Sequence, residues 1–175
     1  MKKQTDDLHK YYEFRNISTG EAQEAAAIER ACFPPNEACS EKMMTERAAK
    51  APEYFFVAVD RKTGRLAGFL NGLATDEPSF RDEFFTDAEL HDPHGRNVLL
   101  LGLAVLPQYR GQGLAREIMT RYLQIMEKKE KHTVLLTCLD SRVAMYKKMG
   151  FLDEGPANST WGGEAWHQMS YKLQR

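Results

Sequence analysis

The stretch Val98-Leu-Leu-Leu-Gly-Leu-Ala-Val-Leu-Pro-Gln-Tyr-Arg-Gly-Gln-Gly-Leu-Ala115 contains three local structures in series. Residues 98–106 are the longest apolar run, broken by Pro107, too short to span a bilayer and of the length of a buried strand. Arg110, Gly111, Gln112 and Gly113 then read as a turn. An amphipathic helix is predicted over 113–128, with Leu114, Ile118, Tyr122, Ile125 and Met126 close to one face. Glycine lets a backbone approach a ligand closely. The first amides of a helix lack internal partners and lie at the positive end of its dipole, so the turn offers a phosphate or pyrophosphate site, to which Arg110 adds charge-assisted hydrogen bonds. The turn lacks the Gly-Lys-Ser/Thr ending of an ATP-binding P-loop and the three-glycine spacing of a dinucleotide fingerprint. Taken alone it is equally a tight strand-to-helix turn.

Upstream, a strand is predicted over 12–17, and a capping-box pattern at Ser18 and Glu21 opens an Ala-rich helix over 20–32. Phe33-Pro34-Pro35-Asn36 ends that helix, and Ser40 caps a second, more polar one that runs until near Pro52. Aromatic and β-branched residues over 54–59, a turn over 60–64 and the run 66–73 predict a hairpin. Residues 75–96 are acidic and irregular, a long connection. Downstream, 133–139 reads as a strand, Asp140 as the cap of a short helix over 141–149, Gly150 as its stop, and 151 onward and 165–173 as closing strands. The order β-α-α-β-β-β-α-β-α-β-β gives a mixed α/β sheet. One domain is expected over 1–175, with a core over about 11–173 behind a polar N-terminal extension, 1–10.

Lys and Arg total 24 and Asp and Glu 25, a balance that gives no electrostatic reason to expect nucleic acid or a membrane as partner. Cys32, Cys39 and Cys138 have neither metal-site spacing nor a disulfide framework, so free thiols and no metal are expected. With no apolar signal core in 1–10, the expected compartment is the cytoplasm.

The motif Arg110-x-x-Gly113-x-Ala115, preceded by Leu103-Ala104-Val105, resembles the acetyl-CoA pyrophosphate loop of the GNAT N-acetyltransferase superfamily. Tyr146-Lys-Lys-Met-Gly150-Phe151 resembles that family's second signature. The likeness extends over about 14–173 to the serotonin (arylalkylamine) N-acetyltransferase group and its bacterial relatives, through Ala27-Ile-Glu-Arg-Ala-Cys-Phe33, Asp76-Glu77 and Cys138-Leu-Asp140. It implies the GNAT acyl-CoA N-acyltransferase fold, α/β (α+β mixed), with a central mixed sheet of six to seven strands flanked by about four helices. It implies acetyl-CoA as co-substrate, bound by Leu103, Ala104, Val105, Arg110, Gly111, Gln112, Gly113, Leu114, Ala115 and Arg116. The implied reaction is direct attack by the primary amine of a small molecule, in a monomer or homodimer, with Tyr146 as candidate general acid.

Where that group carries two histidines on the central strand, this chain has Leu99 and Leu101, and neither takes a proton. The base is therefore open among Asp76, Glu77, His91, His94 and His167, or a water chain. Asp76 and Glu77 follow a core strand and are equally solvated loop carboxylates. Expected acceptor contacts are Phe33, Asp76, Glu77 and His167. Phe80, Phe84 and Phe85 either line an acceptor pocket or cover the core, and Trp161 and Trp166 either touch the acceptor or pack. An open acidic groove would instead indicate a protein or peptide N-acetyltransferase, and binding without turnover a non-catalytic acyl-CoA-binding module.

Overall fold

The computed structural model describes residues 7–173. Its strands are β1 (Tyr12–Asn16), β2 (Phe55–Asp60), β3 (Leu66–Thr75), β4 (Asn97–Val105), β5 (Thr133–Cys138), β6 (Leu152–Pro156) and β7 (His167–Lys172). They form one sheet in the order β1-β2-β3-β4-β5-β7-β6, antiparallel throughout except for the parallel pair β4 and β5. The four expected helices are α2 (Ala22–Cys32), α3 (Glu41–Lys50), α5 (Leu114–Lys128) and α6 (Val143–Lys148). Two single-turn helices add to them. One, α1 (Leu8–Tyr11), lies partly inside the stretch read as a polar extension, because Leu8 is buried in the core; 1–6 lie outside the described residues. The other, α4 (Glu83–Thr86), lies in the long connection.

The caps explain where the helices start. Glu21 accepts from the Ser18 amide at 2.8 Å and receives both ends of the Arg15 guanidinium, closing the predicted box. The Ser40 hydroxyl accepts from the Met43 amide at 3.1 Å. Asp140 departs from expectation. Its side chain caps nothing; it opens a short 3-10 turn, and its carboxylate stands 3.2 Å from His167 Nε2. Gly150 stops α6 at φ 101°.

Helix α5 covers one face of the sheet, while α2 and α3 cover the other. The α5 face is Leu114, Ile118, Met119, Tyr122, Leu123 and Met126, with Ile125 only half-buried at its edge. Each large apolar side chain taken from water contributes about 1.5–3 kcal/mol, and the buried Tyr122 hydroxyl is satisfied by donating to the Tyr54 carbonyl at 2.9 Å. On the other face, α2 buries Ala22, Ala25, Ala26, Ile28 and Glu29, and α3 buries Met44, Arg47 and Ala48. Each apolar stripe thus carries one charge.

Two irregularities in β4 position the site. Its pairing with β5 stops at Leu100 opposite Leu136. Beyond that point β4 follows β3 as far as Val105 opposite Gly68, while β5 follows β7 as far as Cys138 opposite His167, so the two strands part. The β4 partner also steps from Gly102 to Leu100 between Asn71 and Gly72 of β3, which makes Leu101 the extra residue of a bulge. Among the described residues no helix is long and apolar enough to cross a membrane.

Candidate active site

The parting of β4 and β5 opens a cavity of about 410 Å³. Its floor is β4 from Leu100 to Val105, where Leu101, Gly102 and Leu103 are only partly buried in mid-strand because no strand lies beside them on the β5 side. The main-chain edge of β4 facing the gap has no ladder partner beyond Leu100 and can meet a ligand, the Val105 carbonyl at its end being taken by Arg110. At one end the cavity adjoins a recess of about 420 Å³ at the start of α5, with Val105, Arg110, Ala115 and Met145 in both linings.

Gly111 and Gly113 hold φ 83° and 82°, and a β-carbon at either would meet nothing within 4 Å. The glycines are there for backbone conformation, and the turn faces open space in front of the α5 N-terminus. Arg110, Arg116 and Lys148 line the recess without an acidic neighbour in that lining. Gln112 faces elsewhere: its side-chain amide donates to the Tyr12 hydroxyl at 2.6 Å and the Tyr109 carbonyl at 2.8 Å, tying the turn to β1. Arg110 folds back, its Nε on the Val105 carbonyl at 2.9 Å and another guanidinium nitrogen 3.4 Å from Cys32 Sγ.

Tyr146 lines the cavity from α6. Its ring packs edge-on against Phe151 at 5.9 Å, and its hydroxyl has no hydrogen-bond partner among the described residues. The residue is half-buried, and desolvation pushes the phenol above its ordinary pKa.

The far end is walled by aromatic rings. Phe33 and Pro34 from the α2–α3 loop, Phe85 from the long connection, and Trp161 and Trp166 all line it. Phe85 stacks on Trp161 at 4.8 Å. The Trp161 indole donates to the Glu37 carbonyl at 2.9 Å, the Trp166 indole to the Trp161 carbonyl at 2.8 Å, and Asn36 to the Gly162 carbonyl at 3.0 Å. Asp82 accepts from the Ser159 hydroxyl and from the Thr160 amide. Three segments distant in sequence are thus cross-tied around the opening. Phe80 and Phe84 serve the core instead.

Two charges at this end were not singled out by sequence reasoning. Glu29 is 4% exposed, lines the cavity, and has its pKa raised to about 7 by burial, opposed by Arg47 and a main-chain bond from Cys39. Its Oε1 lies 3.2 Å from where a β-carbon of Gly102 would stand, so a side chain there would crowd the carboxylate. The Asn71 Oδ1 lies 3.6 Å from the same point and is the one fully buried side-chain polar atom without a partner among the described residues. Arg47 is 3% exposed and lines the same cavity. A signal existed for both: Glu29 follows Ala22, Ala25 and Ala26, and Arg47 follows Met44, at the three- and four-residue steps of a buried stripe.

The titratable candidates Asp76, Glu77, His91, His94 and His167 all lie outside the cavity lining. Asp76 is exposed and accepts from the Arg96 amide at 3.0 Å. Glu77 is held by Arg81 at 2.7 and 2.8 Å, which lowers its pKa. His167 stands between Asp153 and Asp140, 3.2 Å from each. His91 accepts from the Ala74 amide at 3.0 Å and packs on Tyr54, its pKa lowered by burial; His94 is exposed. Leu99 is in the core and Leu101 lines the cavity.

A parted parallel pair beside a glycine turn and a helix start forms one cleft with a basic end and an aromatic end. Residues 22–151 match the acetyltransferase (GNAT) family, and the chain belongs to it. Serotonin N-acetyltransferase of Mesocricetus auratus is 32% identical over 112 residues, 63% of this chain and 53% of that protein. The same enzyme of Macaca mulatta is 30% identical over 112 residues, with the same coverage. The chain thus spans about half the length of these curated relatives. Among solved structures, the loading GNATL domain of CurA from Lyngbya majuscula superposes with TM-score 0.81 at 17% identity, covering 94% of this chain and 98% of that one. The GNAT family N-acetyltransferase YhbS from Escherichia coli, solved with CoA, gives 0.63 at 20%, covering 94% and 82%. At such identities the likeness is one of fold. Among the described residues no group of His, Cys, Asp and Glu could hold a metal ion.

Proposed function

We propose that the chain transfers acetyl from acetyl-CoA to the primary amine of a small molecule, by direct attack with both substrates bound. The observation that carries this reading is one continuous cleft: a basic glycine turn at α5, the unpaired edge of β4, then an aromatic-walled chamber. The residues fit coenzyme A on two grounds. The positive-φ glycines leave open space before helix amides, and Arg110, Arg116 and Lys148 supply charge for a diphosphate. The free β4 edge suits the amides of a pantetheine arm.

When bound, acetyl-CoA supplies the thioester that the amine attacks. Main-chain groups along Leu101 to Val105 hold that arm and bring two substrates into register. Tyr146 lines the cavity, holds its proton at neutral pH as any phenol of pKa about 10 or above does, and offers it at the departing sulfur. An alkylammonium must lose a proton before attack, and the base we assign is Glu29. It stands over Gly102 beside the bulge, and a carboxyl near 7 is matched to accepting a proton at neutral pH. When it holds that proton, Asn71 Oδ1 lies on the same side of β4 to face it. The cross-tied aromatic end supports a small acceptor over a peptide, which needs an open groove. The three free cysteines fit a reducing, cytoplasmic setting.

Thiol release from acetyl-CoA across an amine panel tests the reading, with Tyr146→Phe as the variant. Turnover is expected with wild type and about a hundredfold less with the variant, coenzyme A still being retained. Coenzyme A binding without turnover of any amine would reject catalysis in favour of an acyl-CoA-binding module.

A further inference from the structure

The Arg47 guanidinium is buried between α3 and the long connection with little to neutralise it. One nitrogen donates to the Phe85 carbonyl at 2.8 Å and another lies 3.6 Å from Cys39 Sγ, a weak acceptor. No carboxylate forms an ion pair with it among the described residues; Glu29 is near enough to act on its charge but makes no direct contact. An arginine carries five N–H donors and does not give up its proton in a protein. A guanidinium that is 3% exposed and lacks an anion is costly unless something anionic arrives. The cavity it lines is the place from which that anion can come.

Glu29 is the complementary case. It is a buried acid lining the same cavity, on the facing helix, also without an ion-pair partner. Two opposite charges set on opposing buried stripes, yet not joined to each other, form a receptacle for a ligand that carries both signs. Glu29 lies over Gly102, at the β4 bulge where the thioester would be attacked, so the amine belongs on its side. Arg47 is bonded to Phe85, part of the aromatic wall away from the parted strands, so the negative group belongs deeper in the acceptor end.

Resting on the transferase reading above, we propose that the acceptor is an amino acid: a small molecule whose carboxylate binds Arg47 while its amine lies toward Glu29. The apolar rings around this end favour an apolar side chain on it. A plain alkylamine would leave Arg47 without its anion and bind correspondingly worse.

The test compares kcat/KM for each amino acid with that for its decarboxylated amine: L-phenylalanine against 2-phenylethylamine, L-leucine against 3-methylbutylamine, and γ-aminobutyrate against propylamine. At least one pair is expected to favour the carboxylate about thirtyfold or more, the range for a buried, hydrogen-bonded charge pair. In Arg47→Met that ratio falls toward one, and in Arg47→Lys it falls part of the way, because an ammonium cannot form the two-pronged contact. Coenzyme A retention reports whether each variant is folded; the wild-type ratios stand even if a variant is not. Ratios at or below one for every pair, with the amines turned over, overturn this inference and leave the transferase intact. A large wild-type ratio that persists in a folded Arg47→Met overturns the role of Arg47. No turnover of amines or amino acids overturns both readings.

Discussion

At the α5 end of the cleft the ligand-facing elements are main-chain groups, glycines and exposed arginines on a surface turn, whereas at the α2–α3 end they are two charged side chains buried on alanine- and methionine-bearing helix faces. The first end recognises through backbone conformation, and its side chains stay solvated. The second holds charge in a medium that penalises it, which raises the Glu29 pKa and leaves Arg47 seeking an anion. A shared donor needs a rigid, reusable grip. The variable acceptor is discriminated by groups whose cost is relieved only by the right partner.

The contrast breaks first at Glu29. Glu29→Gln is expected to lower kcat/KM about a thousandfold near neutral pH, and to remove an acid limb near pH 7 from the wild-type profile. Activity within threefold of wild type would place the base elsewhere. The same variant sharpens the energetic side. Glu29 keeps its proton to about 7 when folded but releases it from 4.5 upward when unfolded. Across that window the unfolded chain binds fewer protons, so stability falls as pH rises and levels off above it. Glutamine removes this loss, so the variant should be more stable than wild type at pH 8, by up to about 3 kcal/mol, and gain nothing below about pH 4.5. Denaturant melts at both pH values check it; an equal effect at both would remove ionisation as the cause.

The α5 end should respond differently. Gly113→Val forces a β-branched residue toward φ 82°, a strain of about 1–2 kcal/mol, and so should weaken coenzyme A binding about tenfold by calorimetry without changing the ranking of acceptors. A changed ranking would mean that the two ends are not separable. The smallest expected effect is Ser40→Ala, which removes the α3 cap and should cost about 1 kcal/mol in a thermal or denaturant melt.

The same contrast explains what was legible in sequence. The turn at Arg110 to Gly113, the strand before it and the caps at Ser18 and Ser40 depend on neighbours a few residues away, and local pattern shows them. Glu29 and Arg47 acquire their properties from helices meeting across the sheet; a charge on an apolar stripe was the signal, outweighed by polar residues nearer the strand ends. Asp76, Glu77 and His167 attracted attention as titratable groups after or within core strands, but each is engaged by a partner outside the cavity. The bulge at Leu101 leaves no mark in a uniformly apolar run, since pairing register is a property of two strands together.

The chain has two tryptophans, Trp161 and Trp166, and both line the aromatic end of the cavity. Ultraviolet emission excited at the indole band therefore comes wholly from that chamber, giving an unlabelled optical probe of acceptor occupancy. Titrated amino acids should change its intensity or wavelength, and it can be followed by stopped flow to time their arrival separately from the donor's.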